Sequence, residues 1–313
     1  MLNINSLKFF LSIFLTYGIL KLTLPIFSKF VFDVPNVRSS HLKNKPTSGG
    51  IVFFVISVIG FSLNGNYLPL LTLPLAVVGL IDDIKNLSSK IRFSIQIFTV
   101  IVIAFFTDFF NQTFAFFNNN YLYFILIVFI YIFLSCGVIN FFNFMDGIDG
   151  LVASNIIIVF SVISIKSGLN LAPIIGPLIG FIFLNWSPSK IFMGDVGSTY
   201  LGALFVSFLI QANSFLDASS IFILSTPLLL DSFTCLIGRF FKGENIFSAH
   251  KSHLYQRLNQ AGLSHAYISL IYIFMTLFIA IFYLFFDFKY LSISLIIEIM
   301  LGLYLHKKLA VNF

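Results

Sequence analysis

Long apolar runs broken by short polar strings set the pattern of this chain. The runs cover approximately residues 7–27, 49–64, 67–81, 93–107, 121–139, 151–166, 171–186, 198–213, 219–238, 266–286 and 288–305. They are continuously apolar rather than alternating, so they predict helices and not the strands of a barrel. Many approach the length that crosses a bilayer, and several are short for it. The expected fold is therefore all-α, a polytopic membrane protein with about 10–11 transmembrane helices. The first run is too long for a signal peptide and no small-residue cleavage site follows it, so it is read as a retained span. No repeat and no soluble insert divides the chain, and residues 1–313 are expected to form a single transmembrane domain.

Composition excludes the alternative of a soluble globule. Hydrophobic residues make up 58% and charged residues 10%, where a soluble domain carries about 25% charge. The 43 phenylalanines are lipid-compatible apolar side chains. Two cysteines, Cys136 and Cys235, both lie inside apolar runs, which argues against a disulfide framework or a zinc cluster. The net charge of +6 would point to nucleic acid in a soluble protein. Here the bilayer is the expected partner and no nucleic acid is, because basic residues gather in cytoplasmic loops of membrane proteins. The strings 28–48, 82–92, 140–150, 187–197, 239–265 and 306–313 hold most of the 18 Lys and Arg residues. They are assigned to the cytoplasm, with the N-terminus outside. The outer connections, including 108–120 with its Asn-rich stretch Asn118–Asn120, read as linkers.

The same cytoplasmic strings hold most of the acidic residues, and ionisable groups at membrane depth are functional candidates. The first string, 33–50, offers Arg38, His41, Lys43 and Lys45, followed by Ser48, Gly49 and Gly50, whose backbone N–H groups would suit a phosphate at a helix start. A plain positive-inside loop would carry the same residues. In the second, 79–96, the adjacent Asp82 and Asp83 repel, so they need a cation or a shared proton, and Lys85, Lys90 and Arg92 are at hand. In the third, NFFNFMDGIDGL, the residues Asn140, Asn143, Asp146 and Asp149 recur every three positions, along one side of a helix end. Oxygen donors alone suit Mg²⁺ better than zinc. In the fourth, Asp195 lies between two glycines at the mouth of a helix, where Ser198 and Thr199 would also serve as caps. The fifth, 231–258, places His250, His253 and Arg257 on one face if it is helical. A His pair suits zinc, but no third soft ligand is read nearby, so an anion clamp is the preferred reading. His265 reads as an ordinary loop residue.

These five strings in this order, with DD, NFMDGIDG and GDVGS together the most specific, resemble the polyprenyl-phosphate N-acetylhexosamine-1-phosphate transferase family, glycosyltransferase family 4. The HKSHLYQRL string resembles the bacterial O-antigen and surface-polysaccharide branch. It departs from the triple-His string of phospho-N-acetylmuramoyl-pentapeptide transferase, which is the alternative within the family. The resemblance implies transfer of a sugar 1-phosphate from a UDP-N-acetylhexosamine to undecaprenyl phosphate, with release of UMP, at the cytoplasmic face of the bacterial inner membrane. It implies Mg²⁺ as cofactor, with Mn²⁺ as a substitute, held by Asn143 and Asp195. Asp82 and Asp83 match the aspartate pair at the lipid phosphate, and with Asp195 they are the expected catalytic residues. Asp146, Asp149, His250, His253 and Arg257 match substrate-binding positions, as do Arg38 and Lys45 in the first loop. Family members are often dimers, so a homodimer is a further expectation. A membrane transporter is the competing class, because intramembrane acids and glycine-broken helices also build transport sites. The charges cluster at one face and no inverted half-repeat is visible, which weighs against it.

Overall fold

The structure is a computed structural model that describes residues 4–33, 44–118, 120–245 and 250–311. Helix α1 (Ile4–Phe30) leads into strand β1 (Phe32–Asp33), which pairs antiparallel with β2 (Lys45–Pro46). Next come α2 (Gly50–Ser62), a 3-10 turn (Leu68–Thr72), α3 (Leu73–Lys85), α4 (Ser89–Phe106), α5 (Phe109–Phe116) and α6 (Tyr121–Met145). They are followed by α7 (Leu151–Ser167), α8 (Ala172–Asn185), α9 (Gly194–Ile210), α10 (Phe215–Leu224) and α11 (Thr226–Phe241). The chain closes with α12 (Leu254–Gln260), α13 (His265–Phe285) and α14 (Phe288–Lys308).

Each apolar run of the sequence is helical, and the protein is an all-α, multi-pass membrane protein. Among the described residues, five helices, α1, α4, α6, α13 and α14, are long and apolar enough to cross alone. The α10–α11 pair makes a sixth crossing if the two form one span, bent by 81°. The expectation of a larger number rests on shorter apolar helices, α2, α7, α8 and α9, and on the 3-10 turn continuing into α3. The bend between α10 and α11 interrupts the expected 219–238 span at Ser225, where Pro227 opens α11 with no N–H to give. The expected linker 108–120 contains the two-turn helix α5.

Helix α9 is the centre. Every residue from Val196 to Phe208 is buried, and α2, α3 and α6 pack around it. Such all-round burial is what an all-round apolar helix requires. Glycines set the closeness. A Cβ on Gly50 would overlap the Gly197 backbone, and one on Gly79 would come within 2.6 Å of Val196 Cα. These helices therefore meet backbone to backbone, the small-residue packing common in lipid. The outer surface is apolar, with Phe14, Leu22, Phe105, Phe129 and Phe274 all exposed, as a lipid-facing surface demands.

Candidate active site

The ends of α3 and α6 meet the beginnings of α2 and α9, which gathers the polar strings at one end of the bundle. The first string docks on the fourth through its backbone. Phe192 N–H donates to Pro46 O (2.8 Å), Gly49 N–H to Phe192 O (2.9 Å) and Gly50 N–H to Met193 O (2.9 Å). The glycine N–H groups expected to meet a phosphate are thus already paired within the protein. Arg38, His41 and Lys43 lie outside the described residues. Lys45 is turned to Ser189 Oγ (2.7 Å) and Asp149 Oδ1 (3.3 Å), and it covers the Phe192 ring.

Asp82 and Asp83 separate their roles. Consecutive helical residues point about 100° apart. Asp82, buried at the end of α3, accepts from Leu87 N–H and from Arg92 Nη1 (3.1 Å). Asp83 accepts from Asp195 N–H (2.8 Å) and Ser48 Oγ (2.6 Å). Its carboxylate therefore caps the N-terminus of α9, where unpaired N–H groups and the helix dipole favour an anion. Gly194 makes that approach feasible. Its φ is +72°, and a Cβ there would strike Asp83 Oδ2 and lie 2.9 Å from Ser48 N. Gly194→Ala is expected to destabilise the fold by about 1–3 kcal/mol, read as a lower thermal midpoint in detergent; an unchanged midpoint would contradict this account.

The third string contributes its asparagines as one helix face. Asn140 and Gln96 exchange reciprocal amide bonds (2.8 and 3.1 Å). Asn143 Nδ2 donates to Asp195 Oδ1 (2.8 Å) and Ser198 Oγ (3.0 Å). Arg92 Nη1 also reaches Asp195 Oδ2 (3.3 Å), so one guanidinium bridges Asp82 and Asp195. A cleft opens here, lined by Arg92, Gln96, Asn140, Asn143, Asp195 and Thr199 above Leu75, Val78 and Gly79. Asp146 follows as the C-cap of α6. Burial, then repulsion by Asp195, Asp83 and Asp149, holds its carboxyl well above the usual range.

Carboxylates thus outnumber the cations paired with them in this cluster among the described residues. With the nitrogen of Asn143 engaged, its Oδ1 is left as an acceptor. Hard oxygen donors and surplus negative charge fit a divalent cation such as Mg²⁺.

Asp149 leaves this group, because α6 ends before it and the turn carries it elsewhere. It is 3% exposed and meets Ser189 Oγ (2.7 Å), Ser189 N–H (3.1 Å), Lys45 and His265 Nδ1 (3.3 Å). Burial raises its carboxyl, but the bonds from His265 and Ser189 outweigh that and hold it well below the usual range. His265, read from the sequence as an ordinary loop residue, is the first residue of α13 and part of this knot.

The fifth string also departs from expectation. Helix α12 begins at Leu254 with His253 as its extended N-cap, so His250 and His253 precede the helix and do not share a face with Arg257. Arg257 is buried and ties Ser252 O (3.1 Å), Val311 O (3.1 Å) and His306 Nδ1 (2.6 Å). Tyr255 reaches from α12 to Phe144 O (3.0 Å), in space that Gly147 leaves free. The cap of α12 is Asp231, which accepts from Leu254 N–H (2.7 Å), Tyr255 N–H (3.1 Å) and Tyr272 Oη (2.6 Å). No role was read for Asp231 from the sequence, although a lone aspartate in an apolar run is itself a signal.

The profile of glycosyl transferase family 4 matches residues 66–213. A probable undecaprenyl-phosphate N-acetylglucosaminyl 1-phosphate transferase of Bacillus subtilis (strain 168) is 32% identical over 259 residues, covering 74% of this chain and 71% of the relative. A phospho-N-acetylmuramoyl-pentapeptide-transferase of Staphylococcus haemolyticus is 30% identical over 69% of this chain and 80% of its own length. An undecaprenyl-phosphate alpha-N-acetylglucosaminyl 1-phosphate transferase of Escherichia coli O157:H7 is 27% identical over 74% of this chain and 70% of its own.

Proposed function

The chain belongs to glycosyl transferase family 4, and on that premise we propose that it transfers an N-acetylhexosamine 1-phosphate from a UDP-sugar to undecaprenyl phosphate, releasing UMP. The reaction would begin a lipid-linked glycan at the cytoplasmic face of the bacterial inner membrane. One observation carries the reading: Asp82, Asn143, Asp195 and Arg92 meet beside a single cleft at the ends of α3, α6 and α9. The relatives' names supply the undecaprenyl-phosphate acceptor and the N-acetylglucosaminyl 1-phosphate group, and the family resemblance supplies the UDP donor. A homodimer belongs to the proposal on family resemblance alone.

The chemistry follows from charge. Both substrates are anionic phosphates, and their repulsion opposes approach. A phosphomonoester has a second pKa of about 6, so the lipid phosphate is largely dianionic at neutral pH and is already a nucleophile. Its oxygen attacks the phosphorus that bears the sugar. The bond from that phosphorus to the bridging oxygen breaks, and UMP departs with the electron pair. Direct attack is preferred to a phospho-aspartate, because a competent nucleophile needs no covalent relay. A Mg²⁺ ion held by Asn143 and Asp195 would supply charge neutralisation for the diphosphate. Arg92 is a planar donor fork suited to phosphate oxygens. Asp82 orients Arg92 and takes a residual acceptor proton if one is present. Asp83 holds α9, and with it Asp195, in position. Asp146 and the string that carries His250 and His253 contribute to holding the sugar nucleotide.

The test uses purified protein in detergent with a UDP-sugar, undecaprenyl phosphate and Mg²⁺. UMP release that requires all three supports the proposal. Movement of substrate across vesicles without UMP would replace it with transport. A donor panel including UDP-N-acetylglucosamine and UDP-N-acetylmuramoyl-pentapeptide separates the two family branches.

A further inference from the structure

Three side chains of the fifth string, none of them lining the oxygen-rich cleft, meet one another. Cys235, on α11, is 3% exposed, and His253 is also 3% exposed. With His250 they each bring one ligand atom to within 4.8 Å of the others, and the two imidazole rings lie 5.0 Å apart. The Nδ1 of His253 is buried, and among the described residues no hydrogen-bond partner lies within reach of it. The Asp231 carboxylate is 3.8 Å away, beyond hydrogen-bond reach. A buried ring nitrogen without a partner is a cost that a ligand would remove.

We propose that Cys235, His250 and His253 form a binding site for one borderline-soft divalent cation of the Zn²⁺ class. One sulfur and two imidazole nitrogens suit Zn²⁺ or Co²⁺, whereas Mg²⁺ and Mn²⁺ prefer oxygen. The thiol loses its proton as the ion binds, and the thiolate with the neighbouring Asp231 carboxylate balances the added charge. Arg239 does not oppose it unshielded, since it pairs with Glu244. Metal–ligand bonds of about 2.0–2.3 Å require the three side chains to draw together. The ion would then pin the histidine string to α11, with a fourth position open to water or an anion. The chain would sort two metals by donor type, oxygen at the cleft and nitrogen with sulfur here.

The test needs no sugar nucleotide, so it succeeds or fails independently of the transfer reaction. Metal-stripped, full-length protein in detergent is titrated with Co²⁺. The expected result is a thiolate-to-cobalt charge-transfer band that saturates at one ion per chain. Zn²⁺ bleaches it and excess Mg²⁺ does not. Cys235→Ser abolishes the band, and Cys136→Ser, which changes the chain's other cysteine, retains it. His253→Gln weakens Co²⁺ binding at least about tenfold. No band in the wild-type protein, persistence in Cys235→Ser, or loss in Cys136→Ser would each overturn the site. If Cys235→Ser does not fold, the Cys136→Ser protein decides alone, since Cys235 is then the one thiol present.

Discussion

Replacing Asp195 with alanine is expected to lower kcat by about 10³-fold or more while the protein still folds and inserts. Asp195 carries two connections of the proposed site, accepting from Asn143 and Arg92 at its two oxygens. Alanine removes both and leaves Arg92 with Asp82 alone. The fold tolerates the change because Asp83 caps α9 through the backbone N–H of residue 195, which alanine retains. The side chain of Asp195 is partly exposed, so no buried partner is stranded. The measurement is UMP release at saturating Mg²⁺ and both substrates, with monodisperse elution in detergent as the folding control. Turnover near that of the wild type would remove Asp195 from the metal assignment and with it the centre of the proposed mechanism.

Stripping divalent metal is expected to abolish turnover, with Mg²⁺ restoring it and Mn²⁺ substituting. The argument is electrostatic. Asp82, Asp83, Asp146 and Asp195 act on one another at this end of the bundle, and two phosphorylated substrates must join them. At an effective dielectric of about 20, each pair of like charges about 4 Å apart costs about 4 kcal/mol. The Arg92 guanidinium, shared between Asp82 and Asp195, offsets one such pair at most. A dication is the economical answer, and the oxygen-rich donor set selects a hard one. The experiment is UMP release before and after chelation, then with each metal added back. Full turnover in the presence of excess chelator would contradict it.

Much of the fold was legible because lipid imposes a simple code. The long apolar runs became helices, with 219–238 split at Ser225, and the described parts of the polar strings gather at the helix ends that carry the candidate chemistry. Departures arose where a local pattern had to be resolved by distant contacts. Adjacent aspartates read as a pair, but one helical step sends Asp82 to Arg92 and Asp83 to the start of α9. The every-third-residue spacing from Asn140 to Asp149 implied one face, yet α6 ends at Met145. Asp149 then joins Lys45, Ser189 and His265, partners scattered through the chain. The expectation of no third soft ligand near His250 and His253 is corrected by the structure. Cys235 is hidden in an apolar run and becomes their neighbour only when α11 packs beneath the string. Asp231 was overlooked for the same reason, since its role as the cap of α12 exists only in three dimensions.

The glycine contacts around α9 carry a mechanical consequence. Where Gly50 faces Gly197 and Gly79 faces Val196, no flexible side chain cushions one backbone from the next. Close-packed interfaces of this kind do not deform gradually. The three helices therefore behave as a stiff frame that fixes the spacing of Asp82, Asp83 and Asp195 through the reaction cycle. In the proposed reaction the moving parts are then the substrates, while the frame that holds the three carboxylates stays in place.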